Sequence, residues 1–180
     1  MREVSWTSLD DGGIEHLALD IRDDGVFVES VVVAQHYGLH YRLRCDAKWH
    51  VRYAYLKTMG GATLELHADG DGTWRDGHGL HLGMLDGCID IDIMATPFTN
   101  TLPIRRLTLA EGERRTLSAA YIATPDLRIA RFEQAYTCIE LDREYRYEGL
   151  TTNFAAHLSV DDDGLVIDYP AYFRRLRRGE

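Results

Sequence analysis

The stretch IEHLALDIRDDGVFVESVVVA, residues 14–34, decides the fold. Over Ile14–Ile21 and Val26–Ala34 apolar side chains recur at alternate positions, the period of a strand with one face in a core and the other in water or a lumen. Between them Arg22, Asp23, Asp24 and Gly25 end on an Asp-Gly step, which supplies the positive φ of a tight turn. The stretch is a β-hairpin, and the same pattern recurs to the end of the chain.

Leu39–Arg44 and Trp49–Lys57 form a second pair. Strict alternation puts Trp49, Val51, Tyr53 and Tyr55 on one face of the latter, with His50, Arg52 and Ala54 on the other. Gly60 and Gly61 turn the chain into Ala62–His67, and Asp69, Gly70, Asp71 and Gly72 turn it again before Thr73, Trp74 and Arg75. Cys88–Ile93 alternates most regularly, with Ile89, Ile91 and Ile93 on one side and Cys88, Asp90 and Asp92 on the other. Further strands are expected over Leu102–Leu109, Thr116–Ile122, Leu127–Leu141, Glu144–Glu148, Asn153–Val160 and Leu165–Tyr169. Arg128–Glu140 has some helical character, but Ile129, Phe132, Tyr136, Thr137 and Ile139 favour a pleated surface. Only short helices fit between these segments.

No repeat, proline-rich stretch or Ser/Gly linker divides the 180 residues, so residues 1–180 are expected to form one domain. The expected class is all-β: a large curved antiparallel sheet forming a cupped or incompletely closed barrel. So many strands leave rows of unpaired backbone groups unless the sheet curls, and a curled sheet has a hollow face. That hollow is the default ligand site.

Composition narrows the partners. With 20 Lys and Arg against 29 Asp and Glu the formal charge is -9, a balance that repels phosphate backbones, so nucleic acid is not an expected partner. The basic run Phe173, Arg174, Arg175, Leu176, Arg177 and Arg178 reads as a solvated end. No apolar run is long enough to cross a bilayer, and Met1–Asp10 has no signal-like apolar core, so a cytoplasmic protein without integral membrane contact is expected. Cys45, Cys88 and Cys138 are odd in number and widely spaced, which suits a reducing compartment and small buried side chains.

No metal or other cofactor is expected. Asp69–Gly72 opens like a calcium loop, but Leu80 stands where the loop needs its bidentate glutamate. Asp161, Asp162, Asp163 and Gly164 read likewise as a hairpin turn. His78 and His81 lie three apart without a third ligand placed by the sequence. Neither a nucleophile elbow nor a phosphate loop nor a dinucleotide fingerprint occurs.

Asp90 and Asp92 share a strand face, which is ordinarily the wet side of a half-buried strand; facing a cavity, they could instead accept sugar hydroxyls or act as an acid/base pair. The segment from Thr96 to Leu107, TPFTNTLPIRRL, sets Pro97 and Pro103 either side of a hydroxyl- and amide-rich loop. Such a loop could hold Thr99, Asn100 and Thr101 toward a ligand, or could simply satisfy its own backbone. Ten tyrosines and three tryptophans offer apolar plates with polar handles, although strand packing accounts for most of them.

TPFTNTLPIRRL, preceded by LDGCIDIDI and followed by YRYE and GLVIDYP, resembles the bacterial family named for putative glycolipid binding. GIEHLAL, WHVRYAYL and DGTWRDG extend the likeness over nearly the whole chain. The resemblance implies an all-β fold of roughly fifteen strands in a cupped sheet, similar in shape to bacterial lipoprotein-localisation factors. It implies no established reaction and no catalytic residues.

The expected function is binding, and by extension transport or metabolism, of a glycolipid-like or other amphiphilic small molecule. Candidate ligand-binding residues are Trp49, Arg52, Trp74, Asp90, Asp92, Asn100, Arg105, Tyr121, Tyr145 and Tyr147. Arginine would pair with an anionic group, Asp and Asn would meet sugar hydroxyls, and the aromatics would stack. One alternative is an enzyme acting on a sugar-containing or lipid-like molecule, with Asp90 or Asp92 as general base and Arg105 stabilising developing charge. Another is a protein-interaction module using a sheet face or edge. A homo-oligomer is compatible with all three.

Overall fold

The computed structural model of the chain describes residues 1–176, so Arg177 and Arg178 of the basic run lie outside the described residues. The strands are β1 (Arg2–Ser8), β2 (Ile14–Arg22), β3 (Gly25–Val33), β4 (Gly38–Cys45), β5 (Val51–Thr58), β6 (Thr63–Ala68) and β7 (Trp74–Asp76) in the first half. The second half holds β8 (Asp90–Ile93), β9 (Arg114–Ala123), β10 (Arg128–Glu140), β11 (Glu144–Gly149), β12 (Phe154–Val160), β13 (Val166–Tyr169) and β14 (Phe173–Arg175). Among the described residues the helices are short: α1 (Thr101–Leu107) and 3₁₀ turns at Gly83–Leu85 and Phe98–Asn100. None is long and apolar enough to cross a membrane.

All fourteen strands join one unclosed sheet in the order β7-β6-β5-β4-β3-β2-β1-β14-β13-β12-β11-β10-β9-β8. The expected hairpin is present, with Ile14 opposite Val33 and Arg22 opposite Gly25. Gly25 takes φ 152°, and a Cβ there would stand 2.4 Å from the Cys45 carbonyl oxygen, so only glycine fits where β3 enters beside β4. Among the described residues the fourteen strands agree with the roughly fifteen implied by the family resemblance. One pair, β8 with β9, is parallel.

The sheet rolls inward at one end. Ile91 and Ile93 of β8 and Ala120 and Ile122 of β9 pack into one core cluster with Trp6, Leu17, Tyr41 and Leu43 of the opposite wall. The other face of β8 and β9 turns toward a second cluster built from Tyr136, Cys138, Tyr145, Tyr147, Leu158 and Val166 of β10–β13. β8 is therefore interior on both faces. This corrects the wet-side expectation for Asp90 and Asp92: Asp90 is 1% exposed and Asp92 is half-buried.

Two further expectations change. Tyr53 and Tyr55 do not share a face with Val51, because the register slips between Arg44 and Cys45 and a bulge at Arg52 brings Val51 round to the buried side with Ala54 and Leu56. Trp49 precedes the strand in a turn at φ 66°. Leu102–Leu109 is not a strand. Its start is α1, in which Pro103 falls within the first turn, where its missing N–H breaks no helical bond, and Thr108 ends the helix in a left-handed conformation. Leu102 of this helix joins the first cluster and Ile104 the second, so α1 bridges the two cores.

Candidate functional site

The hollow between the rolled edge and the β10–β13 wall holds a cavity of about 540 Å³, within the range of small-molecule sites. Its first wall comes from Ser8, Gly13, Val32 and Ala34, with Asp10 and Asp11 in the β1–β2 turn. A second comes from the end of β8 and the following turn: Asp92, Ile93, Met94, Ala95, Thr96 and Asn100. Thr152 and Asn153 of the β11–β12 turn contribute polar groups, and aromatic side chains supply the rest: Tyr37, Tyr121 and Phe132, then Tyr147, Phe154, Tyr169, Tyr172 and Phe173.

These rings form two connected groups. Tyr121 and Phe132, neighbours on β9 and β10, stack in parallel with centroids 4.0 Å apart. Tyr147, Phe154, Tyr169 and Tyr172 meet edge-on or tilted at 5.3–6.3 Å, geometries favoured by the ring quadrupoles. Cross-strand register explains the assembly. Tyr136 faces Tyr147, Gly149 faces Phe154, and Tyr169 faces Phe173, so positions on five successive strands, β10–β14, deliver rings to one concave face.

Asp92 is the carboxylate within this wall. Its Oδ2 accepts from Gln134 Nε2 at 2.5 Å and its Oδ1 lies 3.4 Å from the Thr99 hydroxyl, both neutral donors. Burial raises its pKa to about 6, against the hydrogen bonds of Gln134 and Thr99, so it is ionised at neutral pH and near its midpoint in mild acid. Asp90, two residues away, differs. Arg106 of α1 grips it in a fork, Nε to Oδ1 at 3.1 Å and Nη2 to Oδ2 at 2.6 Å.

Beside the opposite wall, on the same interior face, lies a second buried carboxyl. Glu15 Oε1 accepts from Ser30 at 2.7 Å and from the Tyr41 hydroxyl at 2.6 Å, and Tyr41 also reaches Thr96. Its Oε2 has no hydrogen-bond partner. Burial, outweighing those bonds, lifts its pKa to about 7. Glu15 pairs with Val32 on β3 and so shares its interior face, next to the lining but not part of it.

Of the ten residues singled out from the sequence, the cavity brings together Asp92, Asn100, Tyr121 and Tyr147. Asn100 is held by its own loop and by the wall: its Nδ2 donates to the Pro97 carbonyl, and its Oδ1 accepts from Tyr136. The other six lie elsewhere. Trp49 is buried in the first cluster with the Arg105 guanidinium 5.6 Å over its ring, and Trp74 is fully buried, donating to the Cys88 carbonyl. Arg52 is exposed, 3.7 Å from Asp46. Asp90 is engaged by Arg106, and Tyr145 is packed in the second cluster. Phe132, Phe154, Tyr169 and Tyr172 line the cavity without having been singled out. For Phe132, Phe154 and Tyr169 the strand parity was legible but not which parity faces inward, and Tyr172 stands in a turn outside every expected strand.

A family model described as "Putative glycolipid-binding" matches residues 3–175. A DUF1089 family protein from Pseudomonas aeruginosa, known from a crystal structure, is 45% identical, with 90% of this chain and 92% of that one covered at a TM-score of 0.79. No curated protein matches.

Proposed function

Because the chain belongs to the family described as putative glycolipid-binding, we propose that it binds an amphiphilic small molecule in the hollow of its sheet. The observation that carries this reading is the cavity of about 540 Å³ that the sheet's own side chains leave open, lined by eight aromatic residues together with carboxylate, hydroxyl and amide side chains. That division suits a ligand with an apolar body and a compact polar head. The volume fits a head group with part of one chain, and is small for a whole two-chain lipid.

Native mass spectrometry of freshly purified protein, followed by solvent extraction, tests this directly. A co-purifying amphiphile, or saturable uptake of dodecyl maltoside by the emptied protein, is the expected result. Protein that emerges bare and takes up no alkyl glycoside sinks the reading.

A second reading, proton-transfer chemistry on such a ligand, draws on Asp92, whose pKa near 6 suits a general base. Neither partner considered with it is at hand, since Asp90 is tied to Arg106 and Arg105 stands over Trp49. Turnover of aryl glycosides that disappears in Asp92→Asn would favour it.

A further inference from the structure

The charge of the lining says more than its shape. Three carboxylates, those of Asp10, Asp11 and Asp92, border the cavity, and among the described residues that line it there is no Lys, Arg or His. Arginines on the neighbouring elements are engaged elsewhere: Arg106 on Asp90, Arg105 over Trp49, Arg175 on Asp161, Arg174 on Asp168 and Arg131 on Glu133. β14 also runs away from the cavity, with Phe173 beside Ser8 and Arg175 beside Trp6.

The contrast within β8 is the sharpest evidence. Asp90 and Asp92 share a face two residues apart, yet a guanidinium neutralises the first, while only an amide and a hydroxyl meet the second. A half-buried carboxylate without a counter-charge exerts an undamped field on what enters beside it, because the surroundings screen poorly. The tyrosines around it feel that field: its charge helps raise the pKa of Tyr121 and Tyr147. Eight aromatic residues line the same space, and any ring that turns its face inward adds to that field.

We propose that the cavity selects a positively charged head group, a quaternary ammonium or protonated amine, with Asp92 as its counter-ion and the aromatic wall as its cage. This rests on the cavity being a ligand site and specifies which polar head it takes. Anionic heads, for which Arg52 and Arg105 seemed suited from sequence, meet three like charges and no cation. Neutral sugars can stack and donate a hydroxyl to Asp92, but they leave its charge uncompensated.

The test is calorimetric titration of the full chain with probes matched in shape. Choline is compared with its uncharged isostere 3,3-dimethylbutan-1-ol, and dodecyltrimethylammonium with dodecyl maltoside and dodecyl phosphate, all below micelle formation. The ammonium member of each set should bind at least about tenfold more tightly, with dodecyl phosphate weakest. Preference for dodecyltrimethylammonium over choline would point to an amphiphile; equal affinity would point to a free ammonium metabolite. Asp92→Asn, checked for folding by near-UV circular dichroism, should bring the choline-to-isostere ratio toward one, and Asp10→Asn at the rim should lower it by a smaller factor.

A second readout needs no mutation. The wild-type ratio should fall as pH is lowered from 8 to 5, because Asp92 takes up a proton with a midpoint near 6. The groups facing it are Tyr121 on β9, Gln134 and Tyr136 on β10, Tyr147 on β11 and Tyr169 on β13. All four hydroxyls have pKa values raised above 10, and Asp90 on its own strand is paired with Arg106. Equal or tighter binding of the neutral or anionic probe overturns the proposal, as does a ratio unmoved by Asp92→Asn. Uptake of dodecyl maltoside without ammonium preference leaves the cavity reading standing and removes this one; no uptake of any probe removes both.

Discussion

Glu15 and Asp92 are both carboxyls inside the roll of the sheet, and both resist ionisation because the protein around them replaces water poorly. For Glu15 the consequence is a stability that depends on pH. Its folded pKa of about 7 lies above the ordinary value of 4.5, so the native state holds this proton more tightly than the unfolded chain does. The resulting stability is fully present below pH 4.5, declines as pH rises, and is lost above about 7, by an amount of order 3 kcal/mol. Glu15→Gln keeps an oxygen for Ser30 and Tyr41 and never ionises. Urea unfolding should therefore find it more stable than the wild type at pH 8 by roughly 1–3 kcal/mol and close to it at pH 5. Equal stability of the two proteins at pH 8 would mean that Glu15 carries no such strain. None of this was legible in the sequence. Glu15 reads as one polar position in the alternating run from Ile14 to Ile21, yet in the structure it lies on the buried side with Leu17 and Leu19, while Ile14 and Ile21 are exposed.

At the scale of elements, alternation located most of the strands because side-chain parity is a local property, and a half-buried strand writes it into about six residues. It failed in two informative places. Trp49–Lys57 contains a bulge, and one extra residue reverses every assignment before it. TPFTNTLPIRRL places Pro103 where a strand or a first helical turn could use it, and the choice fell to tertiary contacts: Leu102 and Ile104 dock in two different cores, and Arg106 reaches Asp90. The Asp90–Arg106 pair therefore pins α1 against β8. Removing one partner strands a buried charge, so Arg106→Ala should cost about 3–5 kcal/mol, more than an exposed arginine such as Arg128 would. The double variant Asp90→Leu with Arg106→Leu should recover much of that loss. Thermal denaturation of the three variants decides the matter, and a double variant no better than Arg106→Ala would show that the pair does more than satisfy itself. Gly164 makes a related contact at φ 75°, where an added Cβ would stand 3.0 Å from Arg105 Cδ; Gly164→Ala should lower stability by about 1–2 kcal/mol.

The whole molecule handles its two sheet edges differently. β7, at one end, is only three residues long, which limits what another chain can pair with. β8, at the other, is rolled inside, and the cavity lies beside its end: Arg106 covers Asp90, whereas Asp92 borders open volume. No single strand records the roll, since it depends on β8 pairing in parallel with β9 and on Ile91 and Ile93 meeting the far wall. Sequence reasoning accordingly anticipated a hollow and four of its lining residues, but not its aromatic wall. If the hollow is the ligand site, filling it should abolish uptake without unfolding the protein. Ala34 lies at the end of the wall formed by β3, is incompletely buried, and borders the open volume, so Ala34→Trp can place its ring in space that is already empty. The expected result is a melting temperature within a few degrees of the wild type, with dodecyl maltoside uptake reduced at least about tenfold. Undiminished uptake by a folded Ala34→Trp protein would move the binding surface out of the roll and onto the outer face of the sheet.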